Sequence, residues 1–266
     1  MLSGYIRLIR PINCLMGVMG AVIAIFVSGS GPAGNYILSA IVIILAMGGG
    51  NALNDYLDVD TDRIVHPDRP LPLGEIEGHR ALAFSGALFF TSIMFSFLLS
   101  PKVFIVVAIN VSLLVLYEIR LKKSGIPGNV VISYLVGSVF LFGGAVVGSM
   151  SRILPLFFLG FLSNFGREIA KGIEDLEGDR GKRRTLAIVN PPMARVVSFF
   201  SVIMAVMLSP IPHFYGGFSL FYIYIILMAD AIFLYSLYLL IKNLKSSRAM
   251  RIAMMIALLA FVGGAL

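Results

Sequence analysis

The chain has 266 residues, 58% hydrophobic and only 13% charged, and its mean hydropathy is +0.93; this make-up excludes a soluble globular domain and marks an integral membrane protein. The net charge of +7 does not argue for a nucleic-acid partner, because no basic domain stands apart from the apolar runs. A lone cysteine, Cys14, excludes an intrachain disulfide and reads as a packed small residue in an apolar stretch.

Arg7 and Arg10 precede the first apolar run and resemble the charged start of a signal peptide. Many further runs follow and no A-x-A site is clear, so the run is read as a retained first helix. Crossing the hydrocarbon takes about 20 apolar residues. Nine candidate spans follow in order: Pro11–Val27, Tyr36–Ala52, Ala81–Leu99, Val103–Tyr117, Val130–Gly148, Ile153–Phe165, Met193–Leu208, Phe218–Ile241 and Met250–Leu266. Several are short, so their helices are expected to extend into the polar flanks. One membrane domain over residues 1–266 is expected.

Charge gives the topology. The N-terminus, the loops after spans two, four, six and eight, and the bordering span ends hold every one of the 21 lysines and arginines except Lys102 and Arg152. The same face holds all 14 acidic residues except Asp230. The positive-inside rule makes that face cytoplasmic, with the N-terminus inside and the C-terminus outside. Short outer turns carry Gly29-Ser30-Gly31-Pro32 and Pro210-Ile211-Pro212. The inner segment Asp62 to Arg80 contains Pro67, Pro70 and Pro72, which resist continuous helix and predict an ordered lid or a short broken element. Asp230, deep in the eighth span, is expected to make a structural hydrogen bond, since an unpaired charge there is costly.

Two acidic stretches stand where apolar runs give out: Asn54-Asp55-Tyr56-Leu57-Asp58-Val59-Asp60-Thr61-Asp62 and Asp175-Leu176-Glu177-Gly178-Asp179. If the runs continue as helices, Asp55, Asp58 and Asp62 share a face, as do Asp175 and Asp179. Like charges so spaced destabilise a bare helix by roughly 0.2–0.5 kcal/mol per pair, so each cluster implies a missing cation. Setting Ile37–Asp58 beside Leu154–Asp175 shows a weak internal repeat, each copy running from apolar helix through glycine into acid. Such a duplication predicts two acidic helix ends across one cavity.

Carboxylate and amide oxygens without a cysteine or histidine in the motif suit Mg²⁺, a hard cation that keeps waters and bridges to phosphate. His66 and His79 lie nearby without the helical spacing and read as structural. Basic residues crowd the same face: Arg63, Arg69, Lys122, Lys123, Arg167, Lys171, Arg180, Lys182, Arg183 and Arg184. They can hold a diphosphate or an anionic acceptor, although topology and anionic membrane lipids account for a typical one. A diphosphate whose other end lies in a membrane is most simply a polyprenyl diphosphate. Its ionisation leaves an allylic cation, which aromatic faces such as Tyr56, Tyr117, Tyr134, Phe161 and Phe165 can stabilise.

These motifs resemble the UbiA family of intramembrane prenyltransferases over nearly the whole length. NDYLDVDTDR is similar to the family's NDxxDxxxD and runs into HPDRPLP; DLEGD is similar to its DxxxD; RPINC and LKKSGIPGN resemble its first-helix and basic-loop segments. The resemblance implies an all-α polytopic fold of nine transmembrane helices around a central cavity open to the cytoplasmic side. It further implies that Asn54, Asp55, Asp58, Asp62, Asp175 and Asp179 bind the diphosphate through Mg²⁺, and that Arg63, Lys122, Arg167 and Lys171 help hold substrate. Asn13 and Asn129 would line the polar end. REIAKGIEDLEGDRGKRRTLA most resembles archaeal members that make digeranylgeranylglyceryl phosphate. This implies transfer from geranylgeranyl diphosphate to a lipid-phosphate acceptor, geranylgeranylglyceryl phosphate. An aromatic acceptor is the alternative. Ala187 stands where relatives often carry proline. A CDP-alcohol phosphotransferase is disfavoured by the missing D-G-x-x-A-R pattern, and a cation transporter by acids lying at one interface rather than at midplane.

Overall fold

The structure, a computed structural model, describes residues 2–176 and 185–266, and every regular element among them is helical. Hydrocarbon offers no partner to backbone N–H and C=O groups, so runs of this composition close their hydrogen bonds within helices. In chain order these are α1 (Leu2–Leu8), α2 (Pro11–Val27), α3 (Ala33–Leu57), α4 (Val59–Val65), α5 (Gly78–Leu99), α6 (Pro101–Ile119) and α7 (Ile126–Val147). Then come α8 (Ile153–Glu174), α9 (Leu186–Val189), α10 (Pro191–Leu208), α11 (Ile211–Gly216), α12 (Leu220–Ile241) and α13 (Ser247–Ala265). Eight helical stretches among the described residues are long and apolar enough to cross a membrane, so the chain is a multi-pass membrane protein. The first expected span, α2, has the expected limits but only 17 residues, short of the other eight.

Long helices run beyond their apolar stretches, as expected: α3 ends at Leu57 and α8 at Glu174. One expectation changes. No single helix passes through the first acidic stretch, because α3 stops and α4 starts on either side of Asp58.

The helices form a ring in which α3 packs on α5, α5 on α6, α6 on α7, α7 on α8, α8 on α10, and α12 on α13, with α2 touching α3, α7 and α13. Serines tie neighbours together. The Ser85 hydroxyl donates to the Gly49 carbonyl at 2.7 Å and that of Ser198 to the Gly166 carbonyl at 2.8 Å. Gly49 and Gly166 are equivalent positions when Ile37–Asp58 is laid on Leu154–Asp175, so the weak sequence repeat has a counterpart in packing. Glu174 joins α8 to α13: its carboxylate accepts from the Ser246 and Ser247 N–H groups, both at 2.7 Å, and from the Ser247 hydroxyl at 2.6 Å. A carboxylate at a helix N-terminus satisfies donors that have no partner in the helix and complements its dipole.

Where α2 crosses α7, backbone approaches backbone. A Cβ added to Gly143 would sit 2.4 Å from the Ala24 carbonyl carbon. Main chain cannot rotate away as a side chain can, so Gly143→Ala is expected to cost about 1–3 kcal/mol, read as a lower Tm in detergent. An unchanged Tm would mean that the two helices are free to separate.

Candidate active site

The first acidic stretch is divided by its backbone. Asp58 closes α3, its N–H donating to the Asn54 carbonyl at φ −99° and ψ 9°. The turn sends Asp58 one way and the pair Asp55 and Asp62 another. Both of the latter are buried, at 2% and 4% exposure, and neither is left unpaired. Arg69, carried by the proline-rich segment, reaches Asp62 at 2.5 Å and Asp55 at 3.4 Å. Arg10 pairs with Asp55 from the other side and donates to Asn54 Oδ1 at 3.3 Å. Arg10 sits between α1 and α2 at φ 52°, a left-handed conformation that costs a residue with a Cβ on the order of 1 kcal/mol; the buried ion pair offsets that strain.

Asp58 faces α6 and the short 3-10 turn Leu121–Lys123. Lys122 Nζ lies 2.6 Å from Asp58 and 3.0 Å from Glu118, while Asn54 Nδ2 donates to Glu118 at 3.0 Å and to Asp58 at 3.2 Å. Asn54 thus joins the arginine side of the cluster to the lysine side. Burial alone would lower the Lys122 pKa, but the bond to Asp58 and the charge and bond of Glu118 outweigh it and hold the ammonium above its ordinary value. A raised folded pKa means that the stability contributed is complete below the ordinary lysine value of about 10.4 and is lost as pH rises through the raised value. The Tm difference between the natural chain and Lys122→Met should therefore be constant from about pH 6 to 9 and shrink only above about pH 10.4. A difference that already fell across neutral pH would contradict this pairing.

At Asp175 the second stretch repeats the turn that Asp58 makes in the first. Asp175 closes α8 at φ −90° and ψ 9°, with its N–H on the Lys171 carbonyl, the conformation Asp58 has at the end of α3. Carboxylates at two helix C-termini face the negative end of each dipole, which calls for cations. Asp58 has Lys122; Asp175 is exposed and makes no ion pair among the described residues. Asp175, Lys171, Asn129, Glu168 and Lys122 meet on one polar cavity of about 70 Å³ that Ala187 of α9 helps to close. Lys122 links this cavity to Asp58, with which it pairs at 2.6 Å, but of the two acidic helix ends the second lines the cavity and the first does not.

Other expected residues are dispersed. Arg63 is exposed and pairs with Asp60 at 3.3 Å on α4. Asn13 is half-buried in the first turn of α2. Arg167 bonds Asn164 at 3.0 Å and pairs with Glu168, and its side chain borders a separate apolar cavity. Asp179 lies outside the described residues. Of the five aromatics, Tyr117 lines the polar cavity. Phe161 stacks between Phe157 and Phe165, and Tyr134 meets the edge of Phe157. Asp230 accepts from Ser209 at 2.7 Å, the expected hydrogen bond.

The structural role of three residues was not anticipated: Arg10, Arg69 and Glu118. Glu118 and Lys122 form an i,i+4 acid–base pair legible in sequence, Arg69 lies inside HPDRPLP, and Arg10 begins RPINC. Among the described residues no three acidic, histidine or cysteine side chains gather closely enough to hold a metal unaided. The donors are all oxygen, however, and Mg²⁺ characteristically takes one or two carboxylates and completes its shell with water and substrate phosphate. The cavity fits that mode of binding.

The chain is similar to known proteins over its full length. The digeranylgeranylglyceryl phosphate synthase of Methanosphaera stadtmanae is 38% identical over 275 residues, covering 100% of both chains. A solved structure of a digeranylgeranylglyceryl phosphate synthase superposes with a TM-score of 0.93 at 36% identity, over 99% of this chain and 98% of that one. A UbiA homologue from Archaeoglobus fulgidus, solved with GPP and Mg²⁺, matches at a TM-score of 0.73 and 17% identity over 98% of each chain, a likeness of fold alone. Residues 14–259 match the UbiA prenyltransferase family, and with two acidic helix ends linked through Lys122 in a bundle that is helical throughout the described residues, the chain belongs to that family.

Proposed function

We propose that the chain transfers a geranylgeranyl group from geranylgeranyl diphosphate to the free hydroxyl of geranylgeranylglyceryl phosphate, forming digeranylgeranylglyceryl phosphate. The observation that carries this reading is Lys122, which pairs with Asp58 at the first acidic helix end and lines the polar cavity beside Asp175 and Lys171 at the second. Full-length likeness to synthases of that name supports the choice of substrates. The proposal includes a single membrane domain whose nine helices, α2 among them, cross the bilayer. Its cavity and N-terminus would face the cytoplasm and its C-terminus the outside, in keeping with the one-sided basic residues.

Asn54, Asp55, Asp58 and Asp62 on one side, and Asp175 with Asp179 on the other, are the oxygen donors that would hold Mg²⁺ and through it the diphosphate. Bound there, the ion would neutralise the charge of the departing diphosphate. Lys122 and Lys171 can bond the phosphate oxygens directly, and the arginines already seated on Asp55 and Asp62 keep that side from repelling an anion. The C–O bond to the allylic carbon breaks with its electron pair leaving on diphosphate. The acceptor hydroxyl oxygen then bonds that carbon, and its proton passes to the released diphosphate. Phe157, Phe161 and Asp175 lie on one side of α8, so the chain of a diphosphate held at the cavity would run along aromatic faces able to stabilise a cation. Incubating the purified chain with geranylgeranyl diphosphate, Mg²⁺ and a panel of acceptors should give a product with the mass of digeranylgeranylglyceryl phosphate. A product formed solely from aromatic acceptors would overturn this reading.

A further inference from the structure

A second cavity, of about 490 Å³, lies beside the polar one and is lined by residues of α2, α7, α8, α10, α12 and α13. Its walls are mostly apolar, with the hydrogen-bonded pair Ser209 and Asp230 among them, and two arginines border it, Arg167 of α8 and the exposed Arg251 of α13. Their depth follows from the Glu174 contact, where the end of α8 meets the start of α13. At 1.5 Å per residue, Arg167 lies about 10 Å along α8 from that contact and Arg251 about 6 Å along α13. Both cations therefore sit near the same end of the cavity. Below Arg251, Met255, Leu258 and Phe261 continue the wall, roughly 15 Å down α13.

This cavity is not the polar one beside Lys122 and Asp175. Along α8, Asp175, Glu168 and Phe161 recur every seven residues and form one stripe. Arg167 and Gly160 belong to the adjacent stripe, one residue earlier and so about 100° around the helix. Polar cavity and aromatic faces lie on the first stripe, the apolar cavity on the second, and the Arg167–Glu168 ion pair bridges them. Arg251 makes no ion pair or hydrogen bond among the described residues. An apolar cleft with two cations near one end matches an amphiphile with one chain and an anionic head.

We propose that this cavity is the acceptor site: Arg251 and Arg167 hold the phosphate of the lipid-phosphate acceptor, and the acceptor's prenyl chain fills the apolar space. The assignment rests on the transfer reaction proposed above. It gives each lipid chain its own side of α8, with the two heads meeting where Arg167 joins Glu168.

The test uses the full chain in detergent with geranylgeranyl diphosphate, Mg²⁺ and geranylgeranylglyceryl phosphate. Arg251→Met should raise the acceptor KM at least about tenfold, the size of one lost charge-assisted hydrogen bond, and leave the diphosphate KM unchanged; Arg251→Lys should recover most of the loss. Ala257→Phe, which narrows the cavity, should also raise the acceptor KM alone. Without diphosphate or metal, the acceptor should raise the Tm of the natural chain and not that of Arg251→Met. An acceptor KM and thermal shift unaltered in Arg251→Met, or a diphosphate KM raised by Ala257→Phe, would overturn the assignment while transfer to the lipid phosphate stood. A natural chain that prenylates aromatic acceptors and no lipid phosphate would overturn the proposed function and this inference together.

Discussion

Asparagine at position 58 or 175 is expected to lower turnover by about a hundred- to a thousandfold, the loss that follows removal of one preorganised charge at a site of developing charge. The substitution keeps the shape of the side chain and an oxygen able to accept from Lys122, so the contact of Asp58 with Lys122 and Glu118 survives in weaker form. What disappears is the full negative charge through which a divalent cation would draw in a diphosphate. Since Asp58 and Asp175 close equivalent helices with nearly the same backbone angles, the two variants should be impaired alike. Their double variant should lose little more, because residues acting as one unit are not additive. Initial rates in detergent with Mg²⁺, set against an unchanged Tm, decide the matter. Normal turnover in either single variant would remove that helix end from the site.

The largest effect on stability is expected at Asp55. It is 2% exposed and is the anion on which Arg10 and Arg69 converge from opposite sides. Asp55→Ala leaves Arg10, at 27% side-chain exposure, without its carboxylate partner and Arg69 with Asp62 alone. Breaking a buried pair in this way costs about 3–5 kcal/mol, which for a chain of this size lowers Tm by roughly 10 °C. Asp55→Asn, which keeps an acceptor for Arg10, should lose less than half as much. A Tm within about 2 °C of the natural chain for Asp55→Ala would show that water, rather than Asp55, balances the arginines.

The two acidic stretches were readable because each is a run of neighbouring residues whose charge and spacing need no partner for their interpretation. Their repeat was readable too, and it has a counterpart in the matching Ser85–Gly49 and Ser198–Gly166 bonds, by which a later helix docks on each acidic helix in the same way. The division of the first stretch was not readable. Helical spacing places Asp55, Asp58 and Asp62 on one face, whereas the turn at Asp58 gives Asp55 and Asp62 to the arginines and Asp58 to Lys122.

Membrane insertion, the approximate spans and the basic face follow from composition and order alone, since a lipid bilayer responds to the apolar length and flanking charge of consecutive residues. Which cation answers which carboxylate depended on helices distant in sequence becoming neighbours, as Arg10 and Asp55 did. The apolar cavity beside Arg167 and Arg251 was invisible for a different reason. Lipid tails are as apolar as leucine, so hydropathy cannot distinguish a side chain that faces the bilayer from one that lines an internal space, and only the packed bundle separates them.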